Sequence, residues 1–324
     1  MREESRLKRF KVRHFVLLLI LLLMVFILFI ILPVLTDPSK TYVQRKGEII
    51  NVTKTREWQQ GRNKYIELSL ESSSGLLVDL TILIPKEANT PRPLSIVLAG
   101  YGTGRRATEL VSDSRGIIVA ALSYPYYGDK HINDISNFLF NVKKIQQGII
   151  DTTPAVLLAL EYLIKQPYVN PEQIEVVGVS FGAFLASIPG ALDNRIKRVW
   201  LVQGAADPAT IFEYYLKNNL LNKSLRRIAA RLLEFVIAGH YLKPELWVGK
   251  ISPRSVIAIN TLYDPTFPKQ SVAILHQSLG QPNEIIWIKG LHVRPDREEV
   301  IQQLASLVFT RIAADYKISV AAKN

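Results

Sequence analysis

The stretch IEVVGVSFGAFLA, residues 174–186, decides how this chain is read. It opens as a short β-branched run, IEVVGVS, and continues as FGAFLASIPG, which suits a helix. Gly178-x-Ser180-x-Gly182 lies at the join. A serine on a strand-to-helix turn projects above the sheet, and the next backbone N–H faces the same space. Glycines on either side remove side chains that would collide with neighbouring backbone. The pattern alone also fits a plain tight turn, so the flanking segments must decide.

Working outward, LSIVLAG (94–100), GIIVAALSY (116–124), KRVWLVQGA (197–205), RSVIAIN (254–260) and EIIWIKG (284–290) are short and almost wholly apolar. Strands buried on both faces look like this, and parallel sheets bury both faces. KYIELSLES (64–72) and LLVDLTILIP (76–85) flank Ser73-Ser74-Gly75 as an antiparallel hairpin. Thr153-Pro154 is expected to open one helix, and Asp296 with Glu299 to cap another as a capping box. Strands alternating with helices predict an α/β domain, with a mostly parallel sheet and helices on both faces. Residues 208–253 are too long for one connection. Within them, 224–239 is amphipathic, with Leu225, Ile228, Leu232 and Val236 on one stripe and Arg226, Arg227 and Arg231 off it. A helical insertion is expected there, either a cap over a pocket or part of the domain's own core.

From about residue 60 to 319 the layout resembles the α/β-hydrolase fold. LEYLIKQPYVNPEQIEVVGVSFGAFLA (160–186) is similar to the matching stretch of the dienelactone-hydrolase and prolyl-oligopeptidase-like branches. The resemblance implies a nucleophilic serine, then an acid, then a histidine, each at a strand end. Ser180 holds the first position, Asp264 in NTLYDPTFP the second and His292 in IIWIKGLHVRP the third. Asp207, after the run 197–205, is the alternative acid. The Phe181 and Tyr101 amides are the expected oxyanion donors, and the Tyr101 ring could equally be a pocket wall. Here the chain departs from the pattern: Gly100-Tyr101-Gly102 stands where many esterases carry His-Gly-Gly-Gly. The implied activity is a carboxylesterase or thioesterase acting on an ester-type substrate through an acyl-enzyme. Acyl transfer to a lipid or cell-envelope hydroxyl, peptide hydrolysis and a catalytically silent scaffold are the alternatives.

Before the domain, Phe15 to Leu35 is 21 residues without a polar side chain. At 1.5 Å per residue it would span about 30 Å, a bilayer's hydrocarbon thickness. It ends without a small-x-small cleavage site, so an uncleaved anchor is expected. Six basic residues precede it, from Arg2 to Arg13, and fewer follow closely. That asymmetry predicts a cytoplasmic tail (1–14), an anchor (15–35), a tether (36–59) and an extracytoplasmic domain (60–324). The net charge of +12 is scattered, without basic runs interleaved with aromatics, so nucleic acid is not the expected partner. The chain has no cysteine, which excludes disulfides and thiolate chemistry. Neither metal-ligand spacing nor a phosphate-binding glycine motif is present in the sequence, so no cofactor and no metal are expected.

Overall fold

Alternating residues of the central strands feed two separate cores, which is why those strands read as unbroken apolar runs. The computed structural model describes His14, Leu17, Leu18, Leu21, Met24, residues 38–86, 90–100, 102–129, Ile132 and residues 134–318. Met1–Lys40 and Thr41–Asn324 form two compact units. In the first, His14, Leu17, Leu18, Leu21 and Met24 are helical, and the last four of these are exposed. The predicted tail and anchor lie almost wholly outside the described residues. Among those described, no helix is long and apolar enough to cross a membrane.

In the second unit the described strands are β1 (Ile49–Gln60), β2 (Asn63–Ser72), β3 (Leu77–Pro85), β4 (Arg92–Leu98), β5 (Ile118–Leu122), β6 (Val169–Val179), β7 (Ile196–Val202), β8 (Ser255–Thr261) and β9 (Asn283–Ile288). They form one sheet in the order β1-β2-β3-β5-β4-β6-β7-β8-β9. The first three strands and the β3–β5 pairing are antiparallel, and every pairing from β5 to β9 is parallel.

The helices are α1 (Ser39–Lys46), α2 (Ile135–Leu163), α3 (Phe181–Leu192), α4 (Pro208–Tyr215), α5 (Lys223–Val236), α6 (Lys269–Gln277) and α7 (Glu298–Asp315). Leu94, Ile96, Ile174, Val176, Val199 and Leu201 pack with α2 and α3 on one face. Val97, Val177, Trp200, Val202, Ile257 and Ile259 pack with Leu304, Val308 and Phe309 of α7 on the other. The step from β4 to β5 carries only a short 3-10 turn, Gly104–Thr108, where a parallel crossover ordinarily carries a helix.

Several boundaries differ from the sequence expectation. The predicted tether is structured from Ser39: α1 buries Tyr42 against Tyr241 and Trp247, and Arg45 forms a bidentate pair with Asp151 at 2.7 and 2.8 Å. The sheet then starts at Ile49 instead of near residue 60. β1 is an edge strand exposed on both faces, and its Lys54, Arg56 and Glu57 suit an edge that must resist pairing with other chains. Pro154 lies inside α2 and does not open it. The helix begins at Asp134, whose carboxylate accepts the Asn137 N–H at 2.8 Å. The capping box at Asp296 does not form: Asp296 pairs with Arg294 at 3.1 Å, and Arg297 takes the cap position.

α3 crosses β4 so closely that a Cβ on Gly182 would sit 1.9 Å from the Leu98 carbonyl oxygen. A Cβ on Gly178 would meet both the Ala186 side chain and the Gly182 oxygen at 2.6 Å. Backbone oxygen cannot yield as a flexible side chain can. Gly182→Ala is therefore expected to cost about 3 kcal/mol or more of stability, through strain spread over α3 and β4. A lowered urea midpoint with an unchanged denaturant slope checks this.

Candidate active site

Ser180 sits between β6 and α3 with φ 54° and ψ −113°, a conformation that side chains other than glycine rarely adopt. Its N–H donates to the Val202 carbonyl at 2.8 Å, and its own carbonyl accepts from Ala183. These bonds and the closeness of α3 to β4 hold the strained turn. The side chain is left projecting beyond the carboxyl end of the sheet, half-buried.

Two loops meet it there. Ser180 Oγ lies 2.8 Å from His292 Nε2, and His292 Nδ1 lies 2.7 Å from Asp264 Oδ2. Asp264 follows β8 and His292 follows β9, so adjacent parallel strands deliver both side chains to one place. The other Asp264 oxygen accepts the backbone N–H groups of Thr266 at 2.7 Å and Phe267 at 3.3 Å. Burial opposes ionisation of this carboxyl. The His292 hydrogen bond, the imidazole's charge and the two amides outweigh it, holding the carboxyl below its ordinary value. A carboxylate can only accept, so the proton shared with it belongs to His292 Nδ1. Nε2 is then the acceptor facing the Ser180 hydroxyl. The imidazole is 3% exposed and meets the Phe267 ring edge-on at 5.2 Å.

Asp207 takes no part in this chain of bonds. Its carboxylate accepts from Arg231 at 2.9 Å and from the Thr210 hydroxyl at 2.5 Å, joining α5 to α4. Phe181 opens α3 directly after Ser180, and its ring meets Tyr124 edge-on at 5.3 Å. Tyr101 lies outside the described residues. Its neighbour Gly100 is beside the serine, since a Cβ there would come 3.7 Å from that of Ser180. His276 bonds Asn260 at 2.9 Å and His240 stacks near Tyr241, both away from Ser180.

Gln203 is a site residue that sequence reasoning missed. It is fully buried, accepts the Val293 N–H and donates to the Leu291 carbonyl at 3.1 Å, so one side chain holds both neighbours of His292. A lone amide at the end of an apolar run, WLVQGA, was the available signal.

Two cavities lie by the elbow, the first reaching Ser180 and the second Phe181. One of about 430 Å³ is lined by Ser180 and His292 and runs between the sheet and α7. The other, about 340 Å³, lies beyond Phe181, with Phe138 of α2, Phe212 of α4 and Leu233 and Ile237 from the insertion around it. Within the insertion, Ile211, Leu242, Val248 and Ile251 join the core, while α5 walls the second cavity, whose lining does not include Ser180 or His292.

The mostly parallel sheet with helices on both faces matches solved structures over most of the chain. The fold is that of the α/β hydrolases. An acetyl xylan esterase from a Paenibacillus species superposes with a TM-score of 0.62 at 17% identity, over 84% of this chain and 92% of that one. An acetyl xylan esterase from a Thermoanaerobacterium species gives 0.56 at 16%, over 84% and 94%. A 2,6-dihydroxy-pseudo-oxynicotine hydrolase gives 0.53 at 16%, over 79% and 70%. No family model and no curated protein matches the sequence.

The depressed folded-state acidity of Asp264 gives a signed pH dependence. Its pairing stabilises the fold above the unfolded carboxyl pKa of about 3.9, and this contribution is lost as pH falls through the lower folded value. In a Tm-against-pH series between about pH 2 and 6, Asp264→Asn is expected to flatten the acid limb relative to wild type. An unchanged limb would remove the ionised pair.

Proposed function

We propose that this protein is a serine hydrolase of carboxylic esters or thioesters, tethered to a membrane by residues 15–35. The observation that carries the reading is the two-bond chain from Ser180 through His292 to Asp264, built on a strained elbow. Ser180 Oγ attacks the carbonyl carbon as its proton passes to His292 Nε2, and ionised Asp264 stabilises the resulting imidazolium. The negative charge on the carbonyl oxygen is met by the Phe181 N–H at the start of α3 and, in this reading, by the Tyr101 N–H. Collapse expels the alcohol or thiol, which takes the proton from Nε2. Water then repeats the sequence on the acyl-enzyme and releases the acid. The esterase and hydrolase names of the structural neighbours support ester chemistry.

Ser180→Ala and His292→Ala are each expected to lower kcat for an activated ester by on the order of 10³–10⁵-fold. Asp264→Asn should fall in a similar range, and Asp207→Asn should change it little. Fluorophosphonate labelling lost in Ser180→Ala and much reduced in His292→Ala is the accompanying measurement. A wild type that neither labels nor turns over esters would return the elbow to a structural role.

A membrane setting is supported by the apolar run 15–35 and by the insertion. α5 packs inward through Ala230 and Leu233 and is tied to its neighbours by charge: Arg226 lies 3.7 Å from Glu213, Arg231 2.9 Å from Asp207, and Glu234 2.7 Å from Lys243. Its apolar stripe faces solvent, with Leu225 54%, Ile228 57% and Leu232 43% exposed, beside Leu221 at 87%. An outward apolar stripe flanked by Lys223 and Arg227 suits an anionic lipid surface. The same surface favours a second reading, acyl transfer to a lipid hydroxyl. The paired substitution Leu225→Asp/Ile228→Asp is expected to lower turnover of esters presented in anionic vesicles severalfold more than turnover of dissolved esters. Release of alkyl ester instead of acid, on adding an alcohol acceptor, would shift the assignment to transfer.

A further inference from the structure

The cavity beside Ser180 is a product of the sheet's connectivity. Because the β4-to-β5 crossover is reduced to the 3-10 turn Gly104–Thr108, the space between that part of the sheet and α7 is not filled by a helix. Short side chains line the gap on the sheet side, Val97, Val177 and Val202, each at most 7% exposed. α7 closes it with Leu304, Val308 and Phe309. Polar lining is confined to Ser180, His292, Thr103, Thr266 and Arg294. A space so lined offers water few partners away from the serine, and apolar cavities favour an apolar guest over water. Left empty, it would forfeit packing contacts on every wall.

We infer that this cavity receives the aliphatic acyl chain of the ester, so that the substrate is a medium-chain acyl ester; this rests on the ester-hydrolase reading of Ser180. A cavity of ~150 Å³ accepts the six carbons of benzene, so about 430 Å³ has room for a chain of at least about eight carbons with its carbonyl at the serine. An acetyl group would leave most of it empty. The far limit is set by Leu110, Val111, Pro295 and Ile301, which also line a polar groove containing Arg62, Arg92, Glu109 and Arg115. Methylenes beyond that wall would have to enter polar surroundings. The acyl side is assigned because a chain reaching between core residues is retained through both half-reactions, whereas the alcohol must leave before water enters.

The test uses the full chain in detergent with two series of esters, one varying the acyl group and one varying the alcohol. From acetyl to octanoyl, kcat/KM is expected to rise about three- to fourfold per methylene, then level or fall. Ala305→Phe and Ala107→Leu both fill the cavity, and each should lower the octanoyl-to-acetyl ratio of kcat/KM at least tenfold. Fluorophosphonate labelling reports whether each variant is folded. In Ser180→Ala, octanoate should raise Tm where acetate at the same concentration does not, a readout that needs no turnover. A flat acyl series in an enzyme that labels and turns over acetyl esters would overturn the inference and leave the hydrolase reading intact. Chain-length dependence confined to the alcohol series would overturn the acyl assignment. Absence of both labelling and turnover would sink the hydrolase reading, and the octanoate shift would then decide the cavity by itself.

Discussion

A backbone carbonyl on β4 and the first turn of α3 lie in contact that only a hydrogen atom at position 182 permits. The rest of the site depends on that approach. It brings the start of α3 down onto the sheet, forces Ser180 into a positive φ, and aims its hydroxyl at the space above the strand ends. Gly178 serves the same contact from the other side, since the helix residues Gly182, Ala183 and Ala186 occupy the volume a side chain would need. The parallel register then does the rest. β8 and β9 run alongside one another in step, so residues just beyond their ends, Asp264 and His292, arrive at the same height as the elbow.

What was legible in the sequence follows from which forces leave a periodic trace. Strands buried on both faces must be apolar at every position, so the central strands from β4 to β8 stood out as runs. The elbow announced itself through glycines that sterics demands. β1 left no such trace: exposed on both faces, it carries Thr, Lys, Arg and Gln in a strand held by its pairing with β2. Thr153-Pro154 resembled a helix start because proline at the first turn costs nothing. In the interior of α2 it survives within a turn buried from Asp151 to Leu160, where packing outweighs one missing hydrogen bond. Asp296 had the spacing of a cap, and a nearer cation took it instead.

The insertion shows a different limit. Period 3.6 located α5 and its stripe, but periodicity says nothing about which face a helix turns inward. Three ion pairs tie α5 to its neighbours, leaving Leu225, Ile228 and Leu232 outside while Ala230 and Leu233 turn inward. Pairs such as Arg231 with Asp207 join residues distant in sequence, so no local pattern could disclose them. They also remove Asp207 from contention as the acid partner of His292, a choice the sequence left open.

Gln203 gives the fold an unusual vulnerability. One amide at the end of β7 grips the loop bearing His292 on both sides of the imidazole, and Arg297 adds a bond to the His292 carbonyl at 2.6 Å. A lineage could therefore extinguish the chemistry without altering any of the three residues that carry it. One substitution at 203 would remove two of the bonds that position the loop and leave Ser180, Asp264 and His292 unchanged in sequence.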